Sequence, residues 1–396
     1  MTSNFPLVSV IIPAYNAEAF IERTLQSVLS QTYKNIEVLV VDDGSRDRTA
    51  EIVKSFAQQD IRVTLFQQKN AGVAAARNLA IEKSMGEYIA PIDADDIWYP
   101  QKLEKQVQCM LEADLSVGLV YAWSTFIDEE DVIIGEYNSD CYLIFPHLEG
   151  EVYPAMLYTN FLINASSPLI RRACFEKIGG YNCKFKEQDA QGCEDWDIYL
   201  RIAEHYQFRV VPEFLIGYRQ ISESMSRNCR SMAKSYNLMM ADARQRRPEI
   251  PTYIYNWSAS NFCMFLLDRS IGCGDFSTSL AWIYKAIKLD YALLLQGNMY
   301  RIFIICLLSI FTKLVTPLIW SESYSWWQLK EKIKPSHKVA FKQVTTVSEL
   351  QKKMDKPPQF SSKIYERIKY QRWLRMVQFG EKLSHSSGFE LNPLSF

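Results

Sequence analysis

The chain has 396 residues, of which 48% are hydrophobic and 22% are charged, and its formal net charge is −1. This length exceeds what one hydrophobic core ordinarily organises, and the near-neutral charge excludes a protein built as a whole to bind nucleic acid. The nine cysteines are scattered, with no CxxC pair and no histidine at ligand spacing. This pattern argues against a zinc site and indicates free thiols in a reducing compartment.

Strand and helix patterns alternate through the first hundred residues. Continuous apolar, β-branched runs, typical of strands buried on both faces, cover residues 7–13, 36–43, 62–67 and 87–92. Apolar residues at helical spacing lie between these runs, over residues 17–32, 47–59 and 72–85. The alternation predicts an α/β fold: a mostly parallel, Rossmann-like sheet flanked by helices. Ligands bind at the carboxyl ends of the strands in such sheets.

Polar and turn-forming residues follow these strands. They are Pro13, Tyr15 and Asn16 after the first strand, Asp42 and Asp43 after the second, and Asp93, Asp95 and Asp96 after the fourth. Carboxylates this close together repel one another unless positive charge is present. The acids of residues 93–96 therefore indicate either a divalent cation or, for Asp96 in particular, capping of the helix that begins near residue 101.

The middle of the chain, from residue 121 to about 230, is less regular. Residues 165–172 have a strand pattern, and residues 195–206 predict a helix with Glu194, Asp195 and Asp197 at its start. Acids in this position are ordinarily stabilised by the helix dipole, which lowers the carboxyl pKa and keeps the group ionised. An ordinary helix start explains Asp197 best.

The chain is predicted to be mainly helical from residue 231. Residues 256–270 and 274–295 have the character of one helical hairpin. The apolar run 302–311 is too short to cross a bilayer, which needs roughly 20 residues. It is interrupted by Lys313 and Pro317. A buried core helix and an interfacial membrane helix both remain open for this run.

A strongly basic segment follows. Residues 330–375 carry 13 Lys and Arg against 4 Asp and Glu, and Trp326 and Trp327 precede them. Basic and aromatic residues beside an apolar run favour contact with an anionic membrane surface, so we expect peripheral membrane contact through residues 301–375. The first residues show no signal-peptide pattern, which predicts a cytoplasmic protein at the inner membrane face.

Three regions are predicted from these patterns. They are an α/β domain over residues 1–230, a helical region with a membrane-contact hypothesis over 231–325, and a basic, partly helical or disordered tail over 326–396.

Four motifs in order resemble the family 2 glycosyltransferases. They are VSVIIPAYNAEAFIERTLQSVLSQTYKNIEVLVVDDGSRDRT near the N-terminus, NAGVAAARN at 70–78, DADD at 93–96 and ED at 194–195. The resemblance covers roughly residues 7–228 and implies the glycosyltransferase A fold. It further implies transfer of a sugar from a nucleoside diphosphate donor with inversion at the anomeric carbon. The QxxRW box and long transmembrane segments of processive synthases are absent from the sequence, which favours transfer of a single sugar.

The resemblance assigns the metal site and the general base. Asp95 would bind Mg²⁺ or Mn²⁺, with Asp93 sharing the hydration shell of the ion or holding the donor ribose. Asp195 would be the base that takes the proton from the acceptor hydroxyl, and Glu194 would position the acceptor.

The resemblance also implies a set of donor-binding residues. Asp43 would read the base, and Arg77 and Asn78 would support the donor, whereas Tyr15 is equally compatible with a core position. Arg219, together with Ser224, Ser226 and Arg227, would close over the phosphates, because the histidine that the family often has nearby is missing. The full donor set is Pro13, Tyr15, Asn16, Asp42, Asp43, Gly72, Arg77, Asn78, Asp93 and Arg219.

The expected partners are a nucleoside diphosphate sugar and a saccharide or lipid-linked acceptor, in polysaccharide, lipopolysaccharide or glycolipid biosynthesis. Three other function classes have different sequence requirements. A nucleotidyltransferase would carry a Gly-rich, Arg-containing loop after the first strand, and PAYNAEAF has neither residue. A non-catalytic sugar- or nucleotide-binding module would lack Glu194 and Asp195, and a scaffold protein would require the ordered motifs to be accidental.

Overall fold

The computed structural model describes residues 5–136, 148–221, 228–319, 346–347 and 364–386. The strands are β1 (Val8–Ala14), β2 (Ile36–Asp42), β3 (Val63–Gln67), β4 (Tyr88–Pro91), β5 (Ile97–Trp98), β6 (Val117–Ile127), β7 (Ile133–Glu136), β8 (Leu169–Arg171) and β9 (Gln207–Arg219). The helices that precede residue 210 are α1 (Ile21–Leu29), α2 (Thr49–Gln59), α3 (Val73–Lys83), α4 (Lys102–Leu111), α5 (Tyr153–Tyr158), α6 (Arg172–Ile178), α7 (Lys184–Glu187) and α8 (Glu194–Ala203). The later helices are α9 (Cys229–Arg246), α10 (Thr252–Gly272), α11 (Phe276–Leu289), α12 (Gly297–Ile319) and α13 (Ile364–Ser386).

The strands form one mixed sheet of nine, ordered β3-β2-β1-β4-β8-β6-β9-β5, with β7 beside β6. The first four strands in this order are parallel, as the buried apolar runs predicted, and β6 runs parallel to β9. Strands β5, β7 and β8 pair antiparallel with their neighbours. The prediction of an α/β sheet flanked by helices and followed by a helical region is confirmed. The register pairs Ala14 with Asp42 and Ile11 with Pro91, which brings three strand ends to one edge.

Helix α1 and strand β8 are shorter in the structure than predicted. Helix α1 begins at Ile21 rather than near residue 17, and residues 17–20 form a turn in which the amide of Phe20 donates to the carbonyl of Ala17 at 3.0 Å. Strand β8 begins at Leu169 rather than at 165. Ser167 lies just before this strand, and its Oγ donates to the carbonyl of Ala122 at 2.7 Å.

The helices after residue 228 pack directly on the sheet domain. Tyr236 of α9 and Phe262 of α10 belong to the same hydrophobic core as Tyr121 of β6 and Tyr199 of α8. Trp373 of α13 is also buried in that core. The sheet and the following helices therefore share one interior across the predicted boundary at residue 230.

Helix α12 continues past Lys313 and Pro317, where the sequence predicted an interruption. Its apolar side chains are largely exposed over residues 300–311. They are Tyr300, Phe303, Ile304, Ile305, Leu307, Leu308 and Phe311. None of the helices in the described ranges has the length and apolarity needed to cross a membrane. Trp326, Trp327 and most of the basic segment lie outside the described residues.

Helix α13 is held by a buried ion pair, which allows a test of its packing. Arg372 donates to both carboxylate oxygens of Asp290, at 2.6 and 2.7 Å, and lies over the ring of Trp257 at 4.5 Å. Removing one partner of a buried pair leaves the other charge uncompensated, at a cost of about 3 kcal/mol. We therefore expect Arg372→Gln to lower the free energy of unfolding by about that amount.

Hydrogen exchange across residues 364–386 measures this effect. Exchange should be faster in Arg372→Gln than in Arg367→Gln, which removes an exposed arginine from the same helix. Equal exchange in the two variants would contradict the assigned contribution of the ion pair.

Candidate active site

A cleft of about 900 Å³ lies where the ends of β1 and β9 meet the N-termini of α3 and α8. Of the predicted metal ligands, catalytic acids and full donor set, all but two residues line it. These are Pro13, Tyr15, Asn16, Asp43, Gly72, Arg77, Asp93, Asp95, Glu194, Asp195 and Arg219. Tyr15 is 48% exposed, which excludes the core position that the sequence left open for it.

The two remaining residues, Asp42 and Asn78, support the structure from outside the cleft lining. Asp42 accepts hydrogen bonds from the amide of Ser45 at 2.9 Å and from Gln67 Nε2 at 3.1 Å, so its carboxylate holds a turn. Asn78 accepts from the amide of Tyr181 at 2.7 Å and donates to its carbonyl at 2.9 Å. Asn78 thus fixes the loop before α7 to helix α3.

Asp43 shapes the start of helix α3. Its carboxylate accepts from the amides of Ala71 and Gly72, at 2.7 and 2.8 Å, and from Gln68 Nε2 at 2.7 Å. Gly72 has a φ of 94°, and a Cβ there would lie 2.5 Å from Cδ of Lys186. Because this positive φ strains any residue that has a side chain, glycine is favoured here and the backbone of the turn stays open to the cleft.

Arg77 and Asp93 form an ion pair on the floor of the cleft. Arg77 Nη2 lies 2.5 Å from Asp93 Oδ1, and its guanidinium stacks over the ring of Tyr181 at 5.1 Å. The arginine side chain is 5% exposed and the aspartate 31%. The pair therefore orients a carboxylate that still faces the cleft.

Asp95 is the carboxylate beside Asp93 that lacks an ion-pair partner among the described residues. Burial, together with the neighbouring charge of Asp93, raises the pKa of Asp95 to about 6. The backbone carbonyl of Asp95 accepts from Arg219 Nε at 2.6 Å, which fixes this turn. A carboxylate whose charge is disfavoured in this way gains stability from a bound cation.

Asp96 has a different role from the helix cap that the sequence allowed. Its carboxylate accepts from Ser166 Oγ at 2.5 Å and from the amide of Arg219 at 2.9 Å. Helix α4 begins six residues later, at Lys102, beyond the reach of this side chain. Asp96 ties the turn to β9 instead.

Asp93 and Asp95 are a small ligand set for an ion. In the described part of the chain, no group of three or more His, Cys, Asp and Glu side chains is placed to hold a metal. Mg²⁺ ordinarily binds through one or two carboxylates and takes its remaining ligands from water and substrate phosphates. Two carboxylates facing an open cleft fit that chemistry, and they fit Mn²⁺ as well.

Glu194 and Asp195 open helix α8 at the wall of the cleft. Glu194 Oε2 accepts from the amide of Gly192 at 2.7 Å, and Asp195 Oδ1 accepts from the amide of Trp196 at 2.8 Å. The sequence predicted that the helix start would lower the pKa of Asp195, and this was wrong. Burial raises the pKa to about 7 against the opposing effect of Arg77. Burial also raises the pKa of Glu194.

A titration of Asp195 tests this pKa. We expect one aspartate carboxyl ¹³C resonance to titrate near pH 7 in the free protein, mainly protonated at pH 6 and mainly ionised at pH 8. The resonance should be missing from Asp195→Asn. If every aspartate carboxyl outside the residue 93–96 turn titrates below pH 5, Asp195 is more solvated than this geometry indicates.

The guanidinium nitrogens of Arg219 donate to oxygen atoms of the protein. Besides the bond to the carbonyl of Asp95, Nη1 donates to the carbonyl of Asp128 at 2.5 Å and Nη2 pairs with Asp131. The guanidinium stacks over Phe20 at 4.8 Å. Arg219 therefore holds the turn that carries Asp95. Ser224, Ser226 and Arg227, which the sequence grouped with it, lie outside the described residues.

The helical region contributes a wall of the cleft that the sequence reading missed. The residues lie on one face of α10: Asn261, Phe262, Phe265 and Arg269. Trp196, next to Asp195, packs against Phe262 at 6.0 Å between ring centroids. The spacing of 262, 265 and 269 is helical, yet nothing in the pattern distinguishes a cleft wall from a core face. Lys186, which binds Asn70 Oδ1, was also missed.

The sequence profile described as Glycosyl transferase family 2 matches residues 9–167. An uncharacterized glycosyltransferase of Methanocaldococcus jannaschii is 32% identical over 218 residues, which are 54% of this chain and 71% of the relative. An uncharacterized glycosyltransferase of Rickettsia typhi is 32% identical over 201 residues, 51% of this chain and 61% of the relative.

A shorter match covers the N-terminal motifs. TuaG of Bacillus subtilis, provisionally described as a teichuronic acid biosynthesis glycosyltransferase, is 45% identical over 113 residues, or 28% of this chain and 45% of its own length.

A solved structure supports the fold. The mannosyltransferase PcManGT of Pyrobaculum calidifontis, in complex with GDP-Man and Mn²⁺, superposes with a TM-score of 0.50 at 18% identity. The match covers 81% of this chain and 89% of that protein. Together with the two longer relatives, this places the ordered motifs on the expected architecture. The chain is therefore a member of glycosyltransferase family 2, an enzyme with a glycosyltransferase A-like α/β fold.

Proposed function

We propose that the protein transfers a single sugar from a nucleoside diphosphate sugar to an acceptor hydroxyl, with inversion and with a divalent ion at Asp93 and Asp95. The observation that carries this proposal is the meeting of two carboxylate groups in one cleft. One pair, Asp93 and Asp95, follows β4, and a separate acid, Asp195, lies in the first turn of α8. Metal binding and proton removal can thus be assigned to different carboxylates.

The donor diphosphate would lie at the turn of residues 93–96. Asp95 and Asp93 would hold Mg²⁺ or Mn²⁺, and the ion would supply positive charge to the diphosphate leaving group. Arg77 keeps Asp93 facing the cleft, and Arg219 fixes the backbone of Asp95. The role of Arg219 in donor binding is therefore that of a positioning residue.

The nucleoside would lie between the ends of β1 and β2. Exposed Tyr15 offers an aromatic face, with Pro13 and Asn16 beside it. Asp43 fixes the open turn at Gly72, and its carboxylate lines the cleft. Aromatic stacking with a few placed polar groups is the usual composition of a nucleotide pocket.

Asp195 would act as the general base. The acceptor oxygen attacks the anomeric carbon as the bond from that carbon to the diphosphate oxygen breaks, and the hydroxyl proton passes to Asp195. One displacement from the opposite face inverts the configuration. A carboxylate with a pKa of about 7 binds a proton more readily than an ordinary aspartate, which suits a base at neutral pH.

The biological setting is proposed from the named relative. TuaG is described with teichuronic acid biosynthesis. We assign the present protein to cell-envelope polysaccharide biosynthesis, with a saccharide or lipid-linked acceptor at the inner face of the membrane.

The exposed face of α12 supports peripheral membrane contact and gives a test. Flotation with anionic vesicles should be lost when Leu307, Leu308 and Phe311 are all changed to Glu, because their exposed apolar surface would no longer enter the interface. The matched control changes the exposed Ile61, Met85 and Leu115 of the sheet domain to Glu. Unchanged flotation of the α12 variant would overturn the membrane assignment. The alternative is that a second copy of the chain covers this face, and size-exclusion chromatography would then show self-association.

The transfer activity is tested by a donor screen. UDP-, GDP- and dTDP-sugars are incubated with the full chain and Mn²⁺ or Mg²⁺, and the released nucleoside diphosphate is measured. The anomeric configuration of the product is read by ¹H NMR, and inversion is expected. Release of pyrophosphate from a nucleoside triphosphate would indicate a nucleotidyltransferase instead, and donor binding without turnover would indicate a non-catalytic module.

A further inference from the structure

We infer that the acceptor carries a negative charge, a phosphate or a carboxylate, which Arg269 of helix α10 binds in the cleft. This inference rests on the proposed function, since it takes the wall formed by α10 as the acceptor side. Four observations carry it: the buried Nε atom of Arg269, the absence of a described partner, the row of rings beside it, and the contrast with the other cations of the cleft.

The Nε atom of Arg269 is a buried donor with no described acceptor. This atom has no hydrogen-bond partner among the residues that the structure describes. No described carboxylate forms an ion pair with the Arg269 guanidinium, which lies over the ring of Phe265 at 5.1 Å. A buried donor left unpaired costs free energy. An anion bound in the cleft would supply the missing acceptor.

The other cationic side chains that line the described part of the cleft already have partners. Arg77 is paired with Asp93, and Arg219 is paired with Asp131. Lys186 donates to Asn70 beside the Gly72 turn. These contacts hold the donor side of the cleft together, so Arg269 is the cation in the described lining that is left for a ligand.

A row of aromatic side chains connects Arg269 to the general base. Trp196 follows Asp195 in the chain and lies 6.0 Å from Phe262, and Phe262 lies 5.8 Å from Phe265. Arg269 stacks on the far side of this row. Flat apolar faces suit the carbon–hydrogen face of a sugar ring. A saccharide lying along the row would present a hydroxyl near Asp195 and its charged group to Arg269.

Arginine suits this task chemically. Its planar fork matches the two oxygens of a carboxylate or phosphate, and its charge persists at every physiological pH. Stacking on Phe265 fixes the plane of the fork before the ligand arrives, which reduces the entropy lost on binding. Arg269 would therefore determine which acceptors are accepted, and it would not take part in bond making.

The donor diphosphate is the competing source of the anion. The charges of Arg269, Asp93 and Asp95 all act on the side chain of Tyr218. Because Arg269 and the proposed metal ligands share this neighbour, a donor phosphate is an alternative anion for Arg269. An experiment must therefore separate acceptor binding from donor binding.

The test uses matched pairs of small probes and the full chain. Methyl β-glucuronide is compared with methyl β-glucoside, and glycerol 1-phosphate with glycerol, by calorimetry in the presence of Mn²⁺ and saturating UDP or GDP. We expect one of the anionic probes to bind about tenfold more tightly than its neutral twin. Arg269→Gln should abolish this preference and Arg269→Lys should retain part of it, with the affinity for UDP or GDP unchanged.

The matched control is Arg244→Gln. Arg244 also stacks on an aromatic ring of α10, that of Tyr255 at 4.6 Å, but it does not line the cleft. Its variant should keep the wild-type preference. Equal binding of all probes to the wild type, or a preference that survives in Arg269→Gln, would overturn the inference.

A loss of UDP or GDP affinity in Arg269→Gln, with the preference intact, would also overturn it by assigning Arg269 to the donor. Nucleoside diphosphate release, measured on the same samples, reports on the proposed function separately. If the preference for the anionic probe depends on Arg269 but no nucleoside diphosphate is released, the anion site is supported and the transfer reaction is contradicted.

Discussion

Asp195→Asn is expected to reduce sugar transfer by a hundred- to ten-thousandfold, about the range attributed to a positioned general base. The amide is nearly isosteric with the carboxylate but cannot take the acceptor proton. Donor affinity should stay within about twofold, because the proposed role of Asp195 is to contact the acceptor and not the diphosphate. Steady-state transfer rates and calorimetric titration with the nucleoside diphosphate measure the two quantities on the same protein.

The pH dependence identifies the group. Wild-type kcat/KM for the acceptor should fall tenfold per pH unit below about 7, as Asp195 takes up a proton and can no longer accept one. The residual activity of Asp195→Asn should lack this inflection. The control, Asp197→Asn, changes an acid in the same helical turn that is paired with Arg201 and lies outside the cleft lining. Equal rates in Asp195→Asn and the wild type would exclude Asp195 as the base.

Asp95→Asn is expected to abolish metal-dependent donor turnover, leaving less than about 1% of the wild-type rate. Asp95 lacks an ion-pair partner among the described residues, and burial raises its pKa to about 6. The variant removes the negative charge while keeping the shape of the side chain. Nucleoside diphosphate release is measured across a Mn²⁺ titration, and the variant should show no saturable dependence on the ion.

Asp42→Asn provides the comparison for this prediction. Asp42 also ends a strand of the same sheet, but its carboxylate holds a turn through Ser45 and Gln67. Its variant should be less stable and keep the same dependence on Mn²⁺. If Asp95→Asn retains a wild-type response to the ion, the ligand assignment is wrong.

The parts of the fold that depend on local pattern were predictable. Strands β1 to β4 are buried on both faces and therefore read as continuous apolar runs. Parallel pairing then places Asp43 and Asp95 at one edge, whatever the details of packing. This explains why most candidate site residues could be assigned to one cleft before any contact was known.

Long-range contacts account for what the sequence did not predict. Asn78 lies in a motif that lines the cleft, yet its amide binds Tyr181, more than a hundred residues away in the chain. The pKa of Asp195 depends on burial by elements before and after it, and this effect exceeds the local effect of the helix start. Side chains that the fold supplies from a distance cannot be read from motif spacing.

The wall formed by helix α10 has a consequence for exchanging specificity between relatives. The residues proposed to face the nucleotide come from the first two hundred positions, whereas Phe262, Phe265 and Arg269, which line the same cleft, come from a later segment. Chimeras that graft this segment onto another member of the family should therefore carry over the choice of glycan and leave the choice of activated sugar with the recipient. The graft must include α9 and α13, because both helices contribute side chains to the hydrophobic core on which α10 packs.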